Sequence, residues 1–471
     1  MQTTSEQSEI LNYVLNNDGL VMVESVAGSG KTTLLTEIAK ALKPKSGLYL
    51  AYNKSVATEA QSKFPKSVTC LTTHSLAYGP TVRDLKLKIG FLNYKQVHGT
   101  KLYYEDKMFV IDSIREYCLS KHVYFQDYVK AKHISPKIAN AALQLLENMQ
   151  NGKIDCTHDF YLKLFHIMLA EKQIEYDEFD FIALDEAGDL NPVTLEIFNL
   201  LPAKKKIMVG DSYQNIYGFN HTINCFSEMR GKGHQMFMTQ SFRVSDKIAK
   251  KIERFCQKYI NPNMKFKGIK LEDDTIKTKA FIARANATLI DRMMRLNTLG
   301  IQYGLTRTAK QIFELPLAVI SFKHKGFISV PGYKFLQSDI DEFYESPDLQ
   351  SEYKSLFAYL LQMYPDDVQL QSAINLVLAH GPKEIVACYE EARKHEKQTQ
   401  NYMLGTSHST KGLEFDSVEI ADDLNSKVED IQESVAMRDD PELTEAERAI
   451  MNLYYVACSR SRKELINATC L

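Results

Sequence analysis

The segment Gly28–Ser29–Gly30–Lys31–Thr32 has the composition of a loop that wraps anionic oxygens. Two glycines let successive backbone N–H groups curl inward, a lysine adds a cation, and the Thr32 hydroxyl can ligate a divalent metal. Asp185–Glu186 offers the complementary half of a hydrolytic site, with Asp185 holding Mg²⁺ through water and Glu186 polarising the attacking water. Val209–Gly210–Asp211–Ser212–Tyr213–Gln214 ends in an amide, Gln214, suited to sensing a γ-phosphate. A Gly-Lys-Thr triplet is common by chance, and so is an Asp-Glu pair at a strand end. Their combination predicts a nucleoside triphosphatase.

The elements around these residues supply the required context. The apolar run Leu20–Val23 leads into the loop, and a helical pattern with Leu35, Ile38, Ala39 and Leu42 on one face follows it. The loop's usual first glycine is Ser25. Further strands are expected at Leu48–Ala51, Phe181–Leu184, Ile207–Val209, Phe281–Ala283, Leu317–Ile320, Val418–Ala421 and Leu465–Ala468. A buried parallel strand delivers its last residues to the carboxyl edge of the sheet, which is where Asp185 and Gln214 fall. The alternation predicts α/β layers with parallel sheets at both ends of the chain. Two segments differ in character. Residues 81–170 are Lys-, Tyr- and Leu-rich with helical patterns at Ile138–Met149 and Phe160–Ala170. Residues 322–400 open on Gly326, Pro331 and Gly332, then continue as helices through Leu356–Met363, Leu370–Leu378 and Ile385–Ala392. Both read as insertions, and the acidic stretch Asp422–Glu447 reads as solvated surface.

The 471 residues suffice for two or more domains, and 44% hydrophobic with 25% charged residues is an ordinary globular balance. A net charge of −2 excludes an all-over basic field, so any nucleic-acid contact must be a local groove. Eight scattered cysteines without a CxxC pair predict reduced, intracellular thiols and no zinc site. No run is long enough to span a membrane and no targeting segment is evident, which predicts a cytoplasmic or nuclear protein.

Further blocks appear in a telling order: Ala51–Tyr52–Asn53–Lys54, Thr72–Thr73–His74–Ser75–Leu76, Asp185–Glu186–Ala187–Gly188–Asp189, Gln214–Asn215–Ile216–Tyr217 and Gln240–Ser241–Phe242–Arg243. They continue with Phe281–Ile282–Ala283–Arg284–Ala285–Asn286–Ala287, Gly405–Thr406–Ser407–His408, Lys411–Gly412–Leu413–Glu414–Phe415–Asp416 and Asn452–Leu453–Tyr454–Tyr455–Val456–Ala457–Cys458–Ser459–Arg460. Together they resemble the superfamily 1 DNA helicases of the UvrD/Rep/PcrA group, and within it the compact F-box DNA helicase type.

The resemblance implies two RecA-like parallel-sheet motor domains with ATP between them, each carrying a mainly helical inserted subdomain. The first motor domain would comprise 1–80 and 171–240, with 81–170 inserted. The second would comprise 241–321 and 401–471, with a reduced insertion at 322–400. Lys31, Asp185, Glu186, Gln214, Arg243 and Arg460 would be catalytic, the two arginines reaching the γ-phosphate as planar, permanently charged groups. Gln7, Ala27, Gly28, Ser29, Gly30, Lys31, Thr32, Thr33, Phe242, Gly412 and Glu414 would bind ATP, with Gln7 reading adenine and Phe242 stacking on it. Glu414 would touch the ribose or the γ-phosphate side. Thr32 and Asp185 would hold Mg²⁺. Asn53, Lys54, Thr73, His74, Tyr217, Phe219, Arg284, Asn286, His408 and Lys411 would track single-stranded DNA, Tyr217 and Phe219 by stacking.

Several departures accompany the match. Gly188 stands where the family has Gln, which would weaken or reroute ATP–DNA coupling. Asn220 replaces an arginine, there is no tryptophan, and eleven residues follow Arg460 in place of a longer tail. The expected activity is an ATP-driven, 3′→5′ single-stranded-DNA translocase that unwinds duplexes at ss/ds junctions. The alternative is a DNA-stimulated ATPase that remodels protein–DNA complexes, or serves replication, repair or defence partners, without unwinding alone.

Overall fold

Six parallel strands run through the first half of the computed structural model: β1 (Gly19–Ser25), β2 (Gly47–Ala51), β3 (Val68–Thr72), β4 (Phe179–Leu184), β5 (Ala203–Gly210) and β6 (His234–Met238). Residues 4–98, 102–216, 222–322, 330, 333, 336–365, 367–396, 401–439 and 441–471 are described by the structure. The chain divides into two units, Met1–Phe242 and Arg243–Leu471. In the first, the sheet order is β3-β2-β4-β5-β1-β6. Its central strands are covered on both faces, so Val21, Val23, Ile182, Leu184, Ile207 and Val209 are all buried and the sequence reads as apolar runs without alternation. The helix Lys31–Leu42 packs Leu34, Leu35, Ile38 and Ala39 against one face.

Between β3 and β4 the chain is helical, with Tyr104–Leu119, Phe125–Ala131, Pro136–Gln150 and His158–Ala170. Their core (Val110, Ile114, Ile138, Leu145, Phe165) is continuous with Leu48, Leu50, Ile182 and Leu184 of the sheet. Within it lies a buried cation. Lys163 donates to the carbonyls of Ser120 (2.6 Å) and His122 (2.9 Å), just beyond the end of helix Tyr104–Leu119, and sits 3.4 Å from Nδ1 of His166. Burial lowers the Lys163 ammonium to about 8. Burial, with the neighbouring Lys163 charge, drives His166 down to about 3.

The chain leaves the first unit within β7 (Gln240–Ser245), which pairs with β8 (Lys267–Ile269). The second unit has a parallel sheet of β9 (Lys279–Ala283), β10 (Gly304–Leu305), β11 (Tyr402–Thr406), β12 (Phe415–Ile420) and β13 (Ser461–Ile466), in the order β10-β11-β9-β12-β13. Ala309–Phe322, Leu336–Glu345, Pro347–Tyr353, Leu356–Met363 and Val368–His395 form helices between β10 and β11, the last turning at Gly381 (φ 77°, ψ 161°).

One expected strand is corrected. Residues 317–320 lie in helix Ala309–Phe322, despite Pro316 inside it. That helix packs along Val368–His395, with Val319 and Phe322 fully buried. A short apolar run has no period of its own, so burial on a neighbouring helix decides its conformation. The expected strand at 418–421 stops at Ile420, because Ala421 caps the next helix. The one at 465–468 stops at Ile466, where Asn467 turns left-handed (φ 54°). Gly326, Pro331 and Gly332 lie outside the described residues. All eight cysteines are unbridged, seven of them buried. Among the described residues no helix is long and apolar enough to cross a membrane.

Candidate nucleotide site and nucleic-acid edge

The carboxyl edge of the first sheet gathers the predicted chemistry. β1 ends at Ser25, whose hydroxyl donates to the Gly210 carbonyl (2.9 Å) and pins the loop to β5. Gly28 (φ 74°) and Gly30 (φ 80°) take left-handed conformations that side chains resist, and helix Lys31–Leu42 starts directly after. Ala27 is buried and Thr33 is exposed. Ser29 Oγ is buried without a hydrogen-bond partner, an orphaned hydroxyl inside the cradle. Gln7 donates from its amide to the Ser29 carbonyl (3.2 Å), Ser241 donates to the Ala27 carbonyl (2.8 Å), and the Phe242 N–H donates to the Gly28 carbonyl (2.8 Å). A Cβ at Gly30 would meet Gln7 at 3.2 Å and the Phe242 ring at 3.6 Å, so both predicted adenine contacts lie against the loop.

Asp185 is the pivot of the site. It is 3% exposed, accepts from Tyr49 Oη on β2 (2.6 Å) and Thr32 Oγ1 (3.2 Å), and takes the Glu186 N–H at 2.8 Å. Burial first, then the Glu186 charge, raises the Asp185 carboxyl above its ordinary value, while Lys31 opposes the shift. Glu186 has φ 54°, a costly backbone for a side-chain-bearing residue, and lies 3.6 Å from the Lys31 ammonium. The donors present fit magnesium: a hydroxyl, an anion and a phosphate cradle converge. Among the described residues no cluster of three His, Cys, Asp or Glu side chains could hold a metal. The set therefore suits an ion that keeps most of its shell as water and phosphate oxygen. Gln214 is buried and donates to Asp211 (2.8 Å).

On the β2–β3 side of the same edge, Asn53 caps helix Lys54–Lys63 by accepting from the Val56 N–H (2.9 Å), leaving Lys54 exposed at its first turn. Thr73 is buried. His74 meets Tyr161 Oη through Nδ1 at 3.2 Å, and burial holds its imidazole below the usual range. Tyr217, Phe219 and Asn220 lie outside the described residues.

In the second unit the predicted residues separate. Arg284 and Asn286 follow β9, and His408 and Lys411 follow β11, all at the carboxyl edge. Glu414 and Arg460 instead precede β12 and β13, at the amino edge. Arg243 pairs with Glu414 at 2.7 Å, and Arg462 reaches the same carboxylate at 3.4 Å. Gly412 turns the preceding loop with φ 89°. Arg460 is 1% exposed, donating to the carbonyls of Val456 (2.9 Å) and Leu413 (3.4 Å) and to Ser459 Oγ (2.9 Å).

A family described as an AAA domain matches residues 7–220. F-box DNA helicase 1 of Gallus gallus is 27% identical over 99% of this chain and 49% of its own length. F-box DNA helicase protein 1 of Schizosaccharomyces pombe is 25% identical over 98% of this chain and 57% of its own. The chain is similar along nearly its whole length to these F-box DNA helicases. It spans about half the length of these curated relatives. An uncharacterized ABC transporter ATP-binding protein of Methanocaldococcus jannaschii matches 35% of the chain at 26% identity.

Set within the superfamily 1 pattern, Gly188 has a local cause. A Cβ there would lie 2.1 Å from the Asp211 carbonyl oxygen, and a Cβ at Gly210 would lie 2.5 Å from the Gly188 nitrogen. Two glycines thus let the Asp185 and Gln214 loops touch backbone to backbone. Sequence reasoning missed the supporting residues. Tyr49 holds Asp185, and Glu6 accepts from the Thr239 N–H (2.8 Å), fixing the approach to Phe242. Asp423 accepts from the N–H groups of Arg284 (3.1 Å) and Ala285 (2.9 Å), capping helix Asn286–Thr298 from another helix. No local signal marks Tyr49 or Glu6. Asp423 was visible only as an acid just after a strand.

Proposed function

We propose that the chain hydrolyses ATP with Mg²⁺ and couples hydrolysis to 3′→5′ movement along single-stranded DNA and to strand separation at ss/ds junctions. The observation that carries this reading is the meeting of a phosphate cradle, Lys31, Thr32, Asp185 and Glu186 at one sheet edge. Lys31 pairs with Glu186 at 3.6 Å, so a triphosphate entering the loop competes for that ammonium. Glu186 is then released to accept a proton from the attacking water. Bound at Thr32 and Asp185, Mg²⁺ would neutralise charge on the phosphate oxygens. Gln214 senses the γ-phosphate, and the guanidinium groups of Arg243 and Arg460 stabilise charge on it. Gln7 and Phe242 hold adenine, with Gly412 beside the nucleotide and Glu414 at the ribose or the γ-phosphate side. Asn53, Lys54, Thr73, His74, Arg284, Asn286, His408 and Lys411 grip DNA backbone or bases. The reading takes the motor and inserted subdomains at the boundaries expected from the sequence, and DNA as a partner is supported by the likeness to F-box DNA helicases.

The test is strand separation on forked duplexes carrying a 3′ or a 5′ single-stranded tail. ATP-dependent unwinding of the 3′-tailed fork alone is expected. Hydrolysis without separation of either fork would replace unwinding with remodelling of protein–DNA complexes.

A further inference from the structure

Exposed aromatic side chains are distributed unevenly in this protein. Among the described residues, Tyr52, Tyr78, Phe91, Tyr103, Phe109, Tyr124, Phe237 and Phe242 are exposed, and every one belongs to the first unit. Five of the eight lie between residues 78 and 124, and Phe91 is barest of all at 86% exposed. Phe91 is nevertheless held on a fixed backbone. Ile89 bridges to Cys156, the Gly90 N–H donates to the Cys156 carbonyl (2.9 Å), and the Cys156 N–H donates to the Lys88 carbonyl (2.7 Å). A Cβ at Gly90 would fall 2.7 Å from Asp155, so glycine is what lets the two segments close. The ring is thus an exposed apolar face on a hydrogen-bonded backbone.

Beside it lies a cleft of about 240 Å³, walled by Phe91, Ile111 and Ile114 and edged by Arg115, His158 and Asp159. That is below the roughly 300–1,000 Å³ of pockets that enclose a whole drug-sized ligand, and suits a single ring system. Its rim offers both donors and an acceptor, as a base edge requires. His158 also joins the cleft to the predicted DNA edge. Its Nδ1 lies 3.3 Å from Tyr161 Oη, and His74 Nδ1 lies 3.2 Å from the same oxygen. The shared hydroxyl can donate to one imidazole or accept from both, and in either case it ties the two rings to one point.

We propose that this cleft is a nucleobase pocket on the helical insertion, in which one unpaired base of the bound strand stacks on Phe91. The proposal deepens the DNA-tracking reading above and rests on it. The experiment is equilibrium binding of the full chain to oligo-dT, and to the same oligonucleotide with abasic positions, at several salt concentrations. Phe91→Ala should weaken oligo-dT binding roughly tenfold, the size expected for one lost base–aromatic stack. Phe91→Tyr should restore it. Wild type should lose affinity on the abasic strand while Phe91→Ala is indifferent to it, and the salt dependence should keep its slope because no phosphate contact is removed. Unchanged oligo-dT affinity in Phe91→Ala, with wild type binding normally, would overturn the pocket alone. Failure of wild type to bind any single strand would overturn the DNA reading with it.

Discussion

The two sheets use their edges differently. In the first unit, phosphate and DNA candidates share one carboxyl edge and are divided by strand. β4, β5, β1 and β6 lead into Asp185, Gln214, the phosphate loop and Phe242, while the adjoining β2 and β3 lead into Asn53, Lys54, Thr73 and His74. In the second unit the DNA candidates follow β9 and β11, but Glu414 and Arg460 precede β12 and β13 at the opposite edge. Strands of five or six residues set those edges ~17–20 Å apart. Adjacent strands are only ~4.8 Å apart. The first unit can therefore pass a change at Asp185 to the DNA side through one hydrogen bond, from Tyr49 on β2.

Arginine substitutions in the second unit break this comparison most severely. Arg243→Ala should lower ATP turnover by about a thousandfold, as expected for loss of a charge-stabilising guanidinium, without shifting the melting temperature. Arg460→Ala should lower turnover and also destabilise the unit by about 2–3 kcal/mol, because it empties the space of a fully buried side chain and removes a donor from the Val456 and Leu413 carbonyls, the former keeping only Ser459 Oγ. Turnover and thermal unfolding of both variants separate the two roles. Equal stability losses would erase the distinction.

Next in size is the glycine contact in the first unit. Gly188→Ala should push the Asp211 backbone, move Gln214 and cut kcat about 10–100-fold with little change in KM for ATP. Wild-type kinetics in that variant would mean the two loops are not mechanically linked.

The smallest effect is on stability and concerns the insertion. His166 titrates near 3 in the folded chain, against an ordinary value of about 6.5. Between these values the unfolded chain binds the extra proton, so the His166 contribution to the insertion's stability is fully present above pH 6.5 and is lost as pH falls toward 3. At pH 5 the loss should be about 1–2 kcal/mol, and it should vanish in His166→Gln. Hydrogen exchange of residues 104–170 against the second unit reads it directly. An identical pH response in wild type and variant would sink this account of His166.

The phosphate loop and Asp185–Glu186 could be read from the sequence because a few adjacent residues carry the whole signal. Strands buried on both faces were legible as apolar runs for the same reason. β3, β6 and β11 were not, since Thr69, Gln235 and Gly405 interrupt their runs. Residues 317–320 were misread because helix and strand look alike over so short an apolar stretch. Tyr49, Glu6 and Asp423 act across 136, 233 and 139 residues of chain, a distance no local pattern encodes.

The most direct measurement of the central claim is phosphate release by the purified chain with and without single-stranded DNA, beside Lys31→Ala. Hydrolysis raised at least tenfold by DNA in wild type, and lowered about a hundredfold or more in the variant, is the predicted result. Turnover indifferent to DNA, or retained without Lys31, would contradict it.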